Sequence, residues 1–145
     1  MRTTAIALFA VIALAGVAGC DRLPSDATML SVGDCIDEPG AEEFSTVQRQ
    51  PCNGPHDGEI FVVQDYENPP ATVPTQTEFE NWVLETCTKR AFLDYTGLEY
   101  DAAQDIDVAF FTPTSEGWSD GDKEMVCYLV PVDGGKMSTS LKKAG

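Results

Sequence analysis

The residue types most able to do chemistry are concentrated in residues 51–59, which contain Cys52, His56, Asp57 and Glu59. His56 is the only histidine of the chain. Imidazole and carboxylate groups bind metals and carry protons, so this stretch is a candidate metal site or acid–base site. One histidine is few for a transition-metal site, and adjacent residues of a strand point to opposite faces. Those two facts weaken the catalytic interpretation.

The same residues are also typical of a turn, in which their role is structural and not catalytic. Pro55 restricts the backbone at a turn, and His56 and Asp57 can hydrogen-bond backbone groups at the entry to a strand. We expect this structural role, with no catalytic residue, metal or cofactor. The alternative is an extracytoplasmic enzyme or metal-dependent binder that uses His56, Asp57 and Glu59. No serine lies in a nucleophile-elbow context, and the later aspartates lack the spacing of a calcium loop.

Alternating and β-branched segments around this stretch predict an antiparallel set of strands. Residues 60–63 form the best central strand, directly after Glu59. Asp120 and Gly121 are a hairpin signal between the last two strands. The remaining expected strands are residues 30–32, 44–49, 105–112 and 125–129.

One main helix is predicted between these strands. Thr75 and Glu78 form a capping-box pattern that starts the helix at Gln76, and Gly97 can end it. An apolar stripe at helical spacing includes Trp82 and turns Cys87 inward. The sequence therefore predicts an α+β domain, in which a small antiparallel sheet is packed by one main helix.

The N-terminus has the features of an export signal. Residues 1–19 carry Arg2 and then an apolar run of about 15 residues, which is shorter than the roughly 20 of a spanning helix. The sequence from Val17 to Cys20 resembles a bacterial lipobox, in which Cys20 is lipidated and becomes the new N-terminus. Residues 20–29 then form a short tether. These features predict a palmitate-bearing protein on the outer face of the cell membrane.

The cysteine count agrees with that prediction. Without Cys20, four of the five cysteines remain, in an oxidising compartment. Four cysteines allow three pairings, and the sequence does not exclude any of them. We expect the sequence neighbours Cys35–Cys52 and Cys87–Cys127, each contributing about 3 to 4 kcal/mol.

The composition is strongly acidic. The formal net charge is −15, and removing residues 1–19 removes one basic and no acidic residue. This charge argues against nucleic acid as a partner and against attraction of the domain to anionic lipid headgroups. Membrane attachment is therefore expected through the lipid on Cys20.

A spaced set of signals carries a family resemblance over residues 30–131. The signals are Val32-Gly33-Asp34-Cys35, Cys52, Pro55-His56-Asp57, Glu59, Cys87, Phe92, Tyr95, Pro113, Trp118, Gly121-Asp122 and Cys127. In these residues the chain resembles the septum-formation domain of exported and membrane proteins of Gram-positive bacteria.

The resemblance implies a link to cell division at the envelope, but no catalytic mechanism. We expect a non-catalytic binding module whose partner is an unidentified envelope or division protein. Trp118 is an additional candidate functional residue. Residues 132–145 are rich in glycine, serine and lysine and are expected to form a flexible tail.

Overall fold

The protein is described here by a computed structural model, which covers residues 25–26, 29–38 and 46–144. Its strands form one six-stranded sheet in the order β1-β3-β2-β4-β6-β5, and every neighbouring pair is antiparallel. The strands are β1 (Ser25–Asp26), β2 (Cys35–Asp37), β3 (Thr46–Gln50), β4 (Gly58–Asp65), β5 (Ile106–Phe111) and β6 (Glu124–Pro131). The predicted α+β class is confirmed.

The central strand is β4, as the run of residues 60–63 predicted. It pairs with β2 on one side and with β6 on the other. The register shifts between Ile60 and Val62, so the strand contains an irregularity of the β-bulge type. Ile60 and Phe61 are both buried, on opposite faces of the sheet.

The predicted helix is present but is not uniform. It consists of α1 (Gln76–Thr86), a π-helical segment (Cys87–Ala91) and α2 (Phe92–Thr96). The capping box of Thr75 and Glu78 is formed, and Gly97 ends the helix with a φ of 79°. Lys89 has non-helical backbone angles inside the π segment. The helix is therefore kinked just after Cys87, the residue that bonds it to the sheet.

Apolar side chains lie on both faces of the sheet. The helix covers one face, where its buried side chains meet Phe61, Met125, Cys127 and Leu129. The opposite face carries a second cluster, in which Phe111 and Tyr128 stack at a centroid distance of 4.6 Å. Tyr128 is buried and Phe111 is half-buried, and the remaining buried members of this cluster are Leu30, Ile36, Val47, Ile60 and Val126.

The expected strand at residues 30–32 is a turn. The side chain of Asp34 accepts a hydrogen bond from the Ser31 amide at 2.8 Å, and the Asp34 amide donates to the Ser31 carbonyl at 3.0 Å. This local bonding occupies backbone groups that a strand would use. The strand begins only at Cys35.

The expected hairpin turn at Asp120 and Gly121 is the end of a short helix, α3 (Ser115–Asp120). The Thr114 side chain accepts a hydrogen bond from the Gly117 amide at 3.0 Å and caps the helix start. Gly121 ends it with a φ of 102°. Strands β5 and β6 are adjacent and antiparallel, so the predicted pairing is confirmed. The predicted tight turn between them is wrong, because a helix connects them.

The segment expected to be a flexible tail is packed on the domain. His56 and Met137 exchange two backbone hydrogen bonds, of 3.0 and 2.9 Å, and the Lys143 amide donates to the Tyr95 carbonyl at 2.8 Å. The Met137 side chain is buried. The segment has no periodic pattern of apolar residues, and these contacts hold it in place instead. The folded part therefore extends well past residue 131. We call residues 136–143 the C-terminal strap.

Several expectations concern residues outside the described ranges. These are the signal at residues 1–19, Cys20 and part of its tether, and the start of the expected strand at residues 44–49. Every helix in the described part of the chain is too short or too polar to cross a bilayer.

Candidate functional site

His56 lies at the entry to β4, beneath the C-terminal strap, and its side chain is fully buried. Its Nδ1 lies 2.8 Å from the carbonyl oxygen of Gly54. A carbonyl oxygen only accepts, so Nδ1 donates, and in the neutral ring Nε2 carries the lone pair. Nε2 is buried and has no hydrogen-bond partner among the described residues. A buried nitrogen without a partner is uncommon and calls for an explanation.

Glu59 is also fully buried, and its carboxylate accepts three hydrogen bonds. The hydroxyl groups of Tyr95 and Ser140 donate to Oε1 at 2.6 and 2.5 Å, and the Leu141 amide donates to Oε2 at 2.7 Å. Bonds to a charged acceptor compensate for the loss of its hydration. Glu59 thus joins β4, α2 and the C-terminal strap.

The Tyr95 hydroxyl responds to the same environment. Burial, followed by the hydrogen bond to Glu59 and the charge of that carboxylate, raises the pKa of Tyr95 well above its ordinary value. The tyrosine is therefore held as a proton donor to Glu59 throughout the physiological range.

Cys35 completes the buried group. It pairs with Glu59 across β2 and β4, and it is bonded to Cys52 in a disulfide. The Cys35 sulfur, one ring nitrogen of His56 and one oxygen of Glu59 all lie within 4.8 Å of one another. We call Cys35, His56 and Glu59 the buried triad. While the disulfide is intact, Cys35 does not offer a thiolate.

A family model described as septum formation matches residues 21–143. The chain belongs to the septum formation family. The match confirms the resemblance, and it includes the C-terminal strap within the family domain. Membership identifies a septum-related extracytoplasmic protein that is associated with the cell envelope. No curated protein and no solved structure matches the chain.

Asp57, which the sequence places between His56 and Glu59, is not part of the buried triad. Its Oδ1 lies 2.8 Å from Lys136 Nζ, and its Oδ2 accepts a hydrogen bond from the Glu38 amide at 3.0 Å. Lys136 also pairs with Asp37 at 2.8 Å. Asp57 therefore ties the strap to β2 at the surface and does not join His56 and Glu59.

Trp118 is part of the core. Its side chain is 2% exposed, and its ring packs edge-on against Tyr66 and Phe79. The indole nitrogen donates to the Pro70 carbonyl at 3.2 Å, and Lys123 Nζ lies 4.3 Å from the ring centroid. In this position Trp118 has almost no surface to offer a ligand.

The disulfide Cys87–Cys127 joins the helix to β6, so both expected pairings are present. Sequence reasoning identified His56 and Glu59 but missed Cys35, Tyr95 and Ser140 as their neighbours. Tyr95 is 36 and Ser140 is 81 residues from Glu59, and no local motif connects them. The proximity of Cys35 follows from the β2–β4 register, which only the fold supplies.

Proposed function

We propose that this septum-formation protein is a lipid-anchored, non-catalytic binding module on the outer face of the cell membrane. The observation that carries the non-catalytic part is the closure of the buried triad. His56 and Glu59 are fully buried, and the Glu59 carboxylate accepts three hydrogen bonds from α2 and the strap. A general acid or base must reach a substrate proton, whereas both of these side chains are enclosed by the protein.

The lipid anchor rests on Val17-Ala18-Gly19-Cys20 and on the charge of the chain. An acidic domain is repelled by anionic headgroups, so attachment must come from acyl chains. Each buried methylene of such a chain contributes about 0.8 kcal/mol, and more than one chain makes the anchoring stable.

The partner is proposed to be an envelope or division protein with a basic contact surface. A formal net charge of −15 favours association with cationic surfaces and opposes association with acidic ones. The two disulfides suit a binding module outside the cytoplasm, where disulfides persist. There they hold the surface of the domain in one conformation.

The anchor is tested by metabolic labelling with radioactive palmitate and by membrane fractionation. We expect label and membrane association in the wild type and neither in Cys20→Ala. The matched control is Cys35→Ser/Cys52→Ser, which loses two other cysteines and should keep the label. An unlabelled wild-type protein would remove the lipid from the proposal.

The binding role is tested by immunolabelling and chemical cross-linking in intact cells. Enrichment at septa, together with a cross-linked division protein that is lost in Cys20→Ala, supports the proposal. A uniform distribution around the envelope without a specific cross-link contradicts it.

A further inference from the structure

The His56 ring is arranged as metal-ligating histidines are. Such residues donate one ring N–H to a backbone carbonyl or carboxylate, which orients the ring and leaves the other nitrogen free for the metal. Here Nδ1 donates to the Gly54 carbonyl at 2.8 Å. Nε2 is buried and has no partner in the described part of the chain.

Glu59 has the matching arrangement. Ligating carboxylates are themselves held by hydrogen bonds from surrounding groups. Tyr95, Ser140 and the Leu141 amide hold this carboxylate at 2.5 to 2.7 Å. Each carboxylate oxygen has two lone-pair sites, so Oε2, with one donor, retains acceptor capacity.

Cys35 and Cys52 supply the remaining ligands once the disulfide between them is open. The ligand atoms of the buried triad lie within 4.8 Å of one another, and the Cys52 sulfur is bonded to that of Cys35. Tetrahedral Zn²⁺ has bonds of about 2.0 to 2.3 Å, which require ligands somewhat closer together than this. Freeing the two sulfurs lets both side chains rotate toward such a centre.

We propose that the protein with a reduced Cys35–Cys52 pair binds one Zn²⁺ through Cys35, Cys52, Nε2 of His56 and Glu59. Two thiolates, one imidazole and one carboxylate are all zinc ligands, and four of them close a tetrahedral site. The sequence shows no zinc spacing because β2, the turn and β4 bring these residues together from different elements. The zinc site goes beyond the proposed binding module and does not depend on it.

Zinc binding and the disulfide exclude each other. A dithiol reductant gives two electrons and two protons to the disulfide, forming two protein thiols and its own disulfide. Zinc then displaces both thiol protons and binds the thiolates. In the reverse direction a disulfide oxidant accepts two electrons from the two thiolates and becomes two thiolates itself, while the protein disulfide re-forms and the ion is released. The site is thus a redox-dependent zinc site.

The test uses purified mature protein, reduced with a water-soluble phosphine. The phosphine becomes a phosphine oxide with oxygen from water, and the two water hydrogens end on the sulfurs. After addition of Zn²⁺ and gel filtration, we expect one equivalent of zinc on the reduced protein and none on the oxidised protein. Cobalt(II) in place of zinc should give the visible bands of a tetrahedral thiolate site.

Variants identify the ligands. Cys52→Ser and His56→Gln should lose the stoichiometric zinc, while Cys87→Ala/Cys127→Ala, which alters the other disulfide, should retain it. Ser140→Ala removes a hydrogen bond to Glu59 and should weaken zinc affinity about 10- to 100-fold. Circular dichroism establishes whether each variant is folded.

Three results would overturn the proposal. The first is a reduced wild-type protein that holds no zinc, whether or not it is folded. The second is an oxidised protein that binds zinc as well as the reduced one does. The third is a folded His56→Gln variant that binds zinc with unchanged affinity. None of these results would affect the lipid anchor or septal enrichment, so failure of the zinc site and failure of the proposed function are distinguishable.

Discussion

The Tyr95 hydroxyl donates a 2.6 Å hydrogen bond to Oε1 of Glu59, and it links the end of α2 to the central strand inside the core. The acceptor is a fully buried carboxylate. Removing one partner of such a bond leaves a buried charge with less compensation, which costs more than losing an exposed bond. This contact therefore has a large expected share in stability.

Replacing Tyr95 by phenylalanine tests that share. We expect Tyr95→Phe to lower the free energy of unfolding by about 1.5 to 3 kcal/mol, because a hydrogen bond to a charged group is lost. Tyr100→Phe is the matched control, since its hydroxyl bonds to the exposed Asp107 and its loss should cost less than about 1 kcal/mol. Urea denaturation measures both, and equal losses would contradict the assignment.

Shortening the C-terminal strap tests its role beside Glu59. Deletion of residues 139–145 removes the Ser140 and Leu141 donors and the bond from Lys143 to Tyr95. We expect a loss of about 3 kcal/mol or more, because two of three donors to a buried carboxylate disappear. Deletion of residues 144–145 removes none of these donors and should leave the melting temperature unchanged. Equal stability of the two deletion variants would show that the strap does not stabilise the fold.

The two disulfides should contribute unequally. The cysteines are separated by 17 residues in Cys35–Cys52 and by 40 in Cys87–Cys127. In the chain-entropy model, the longer loop restricts the unfolded chain more, so the expected contributions are about 3 and about 4 kcal/mol. Denaturation of the two double alanine variants checks this order. The reverse order would show that contacts in the folded state outweigh loop entropy.

Alkaline pH should destabilise the protein through Tyr95 and Tyr128. Burial, followed by a nearby glutamate in each case, raises both pKa values above the ordinary value near 10. The folded state then holds these protons more tightly than the unfolded state. The resulting stability is complete below about pH 10 and is lost as pH rises toward the folded-state values.

The measurement is the free energy of unfolding between pH 8 and the alkaline limit of reversible unfolding. We expect a decline above about pH 10 in the wild type. The double variant Tyr95→Phe/Tyr128→Phe should be less stable at neutral pH and should decline less steeply. An unchanged slope would assign the alkaline loss to other groups.

Local patterns predicted much of the fold. Alternation identified β5 and β6, and the capping box of Thr75 and Glu78 located the start of the helix. Patterns that are compatible with two local structures were harder to interpret. Asp120-Gly121 is typical of a hairpin turn, but a left-handed glycine also ends a helix, and the Thr114 cap decided between them.

The candidate site was predictable only in part. The turn at Pro55 and the divergence of His56 and Asp57 follow from local geometry. The strap does not, because its attachment depends on backbone hydrogen bonds and on one buried methionine, Met137, which composition does not reveal. Its glycine, serine and lysine content is typical of a mobile segment, and only tertiary contacts override that tendency.

The positions of the disulfides have a mechanical consequence. When tension is applied between the two ends of a chain, a disulfide keeps the enclosed residues from extending. Here the loops closed by Cys35–Cys52 and Cys87–Cys127 lie one after the other along the chain. An unfolded residue outside such loops can lengthen the chain by about 3.3 to 3.6 Å. Under such tension this chain would therefore stretch mainly between Cys52 and Cys87, before Cys35 and after Cys127.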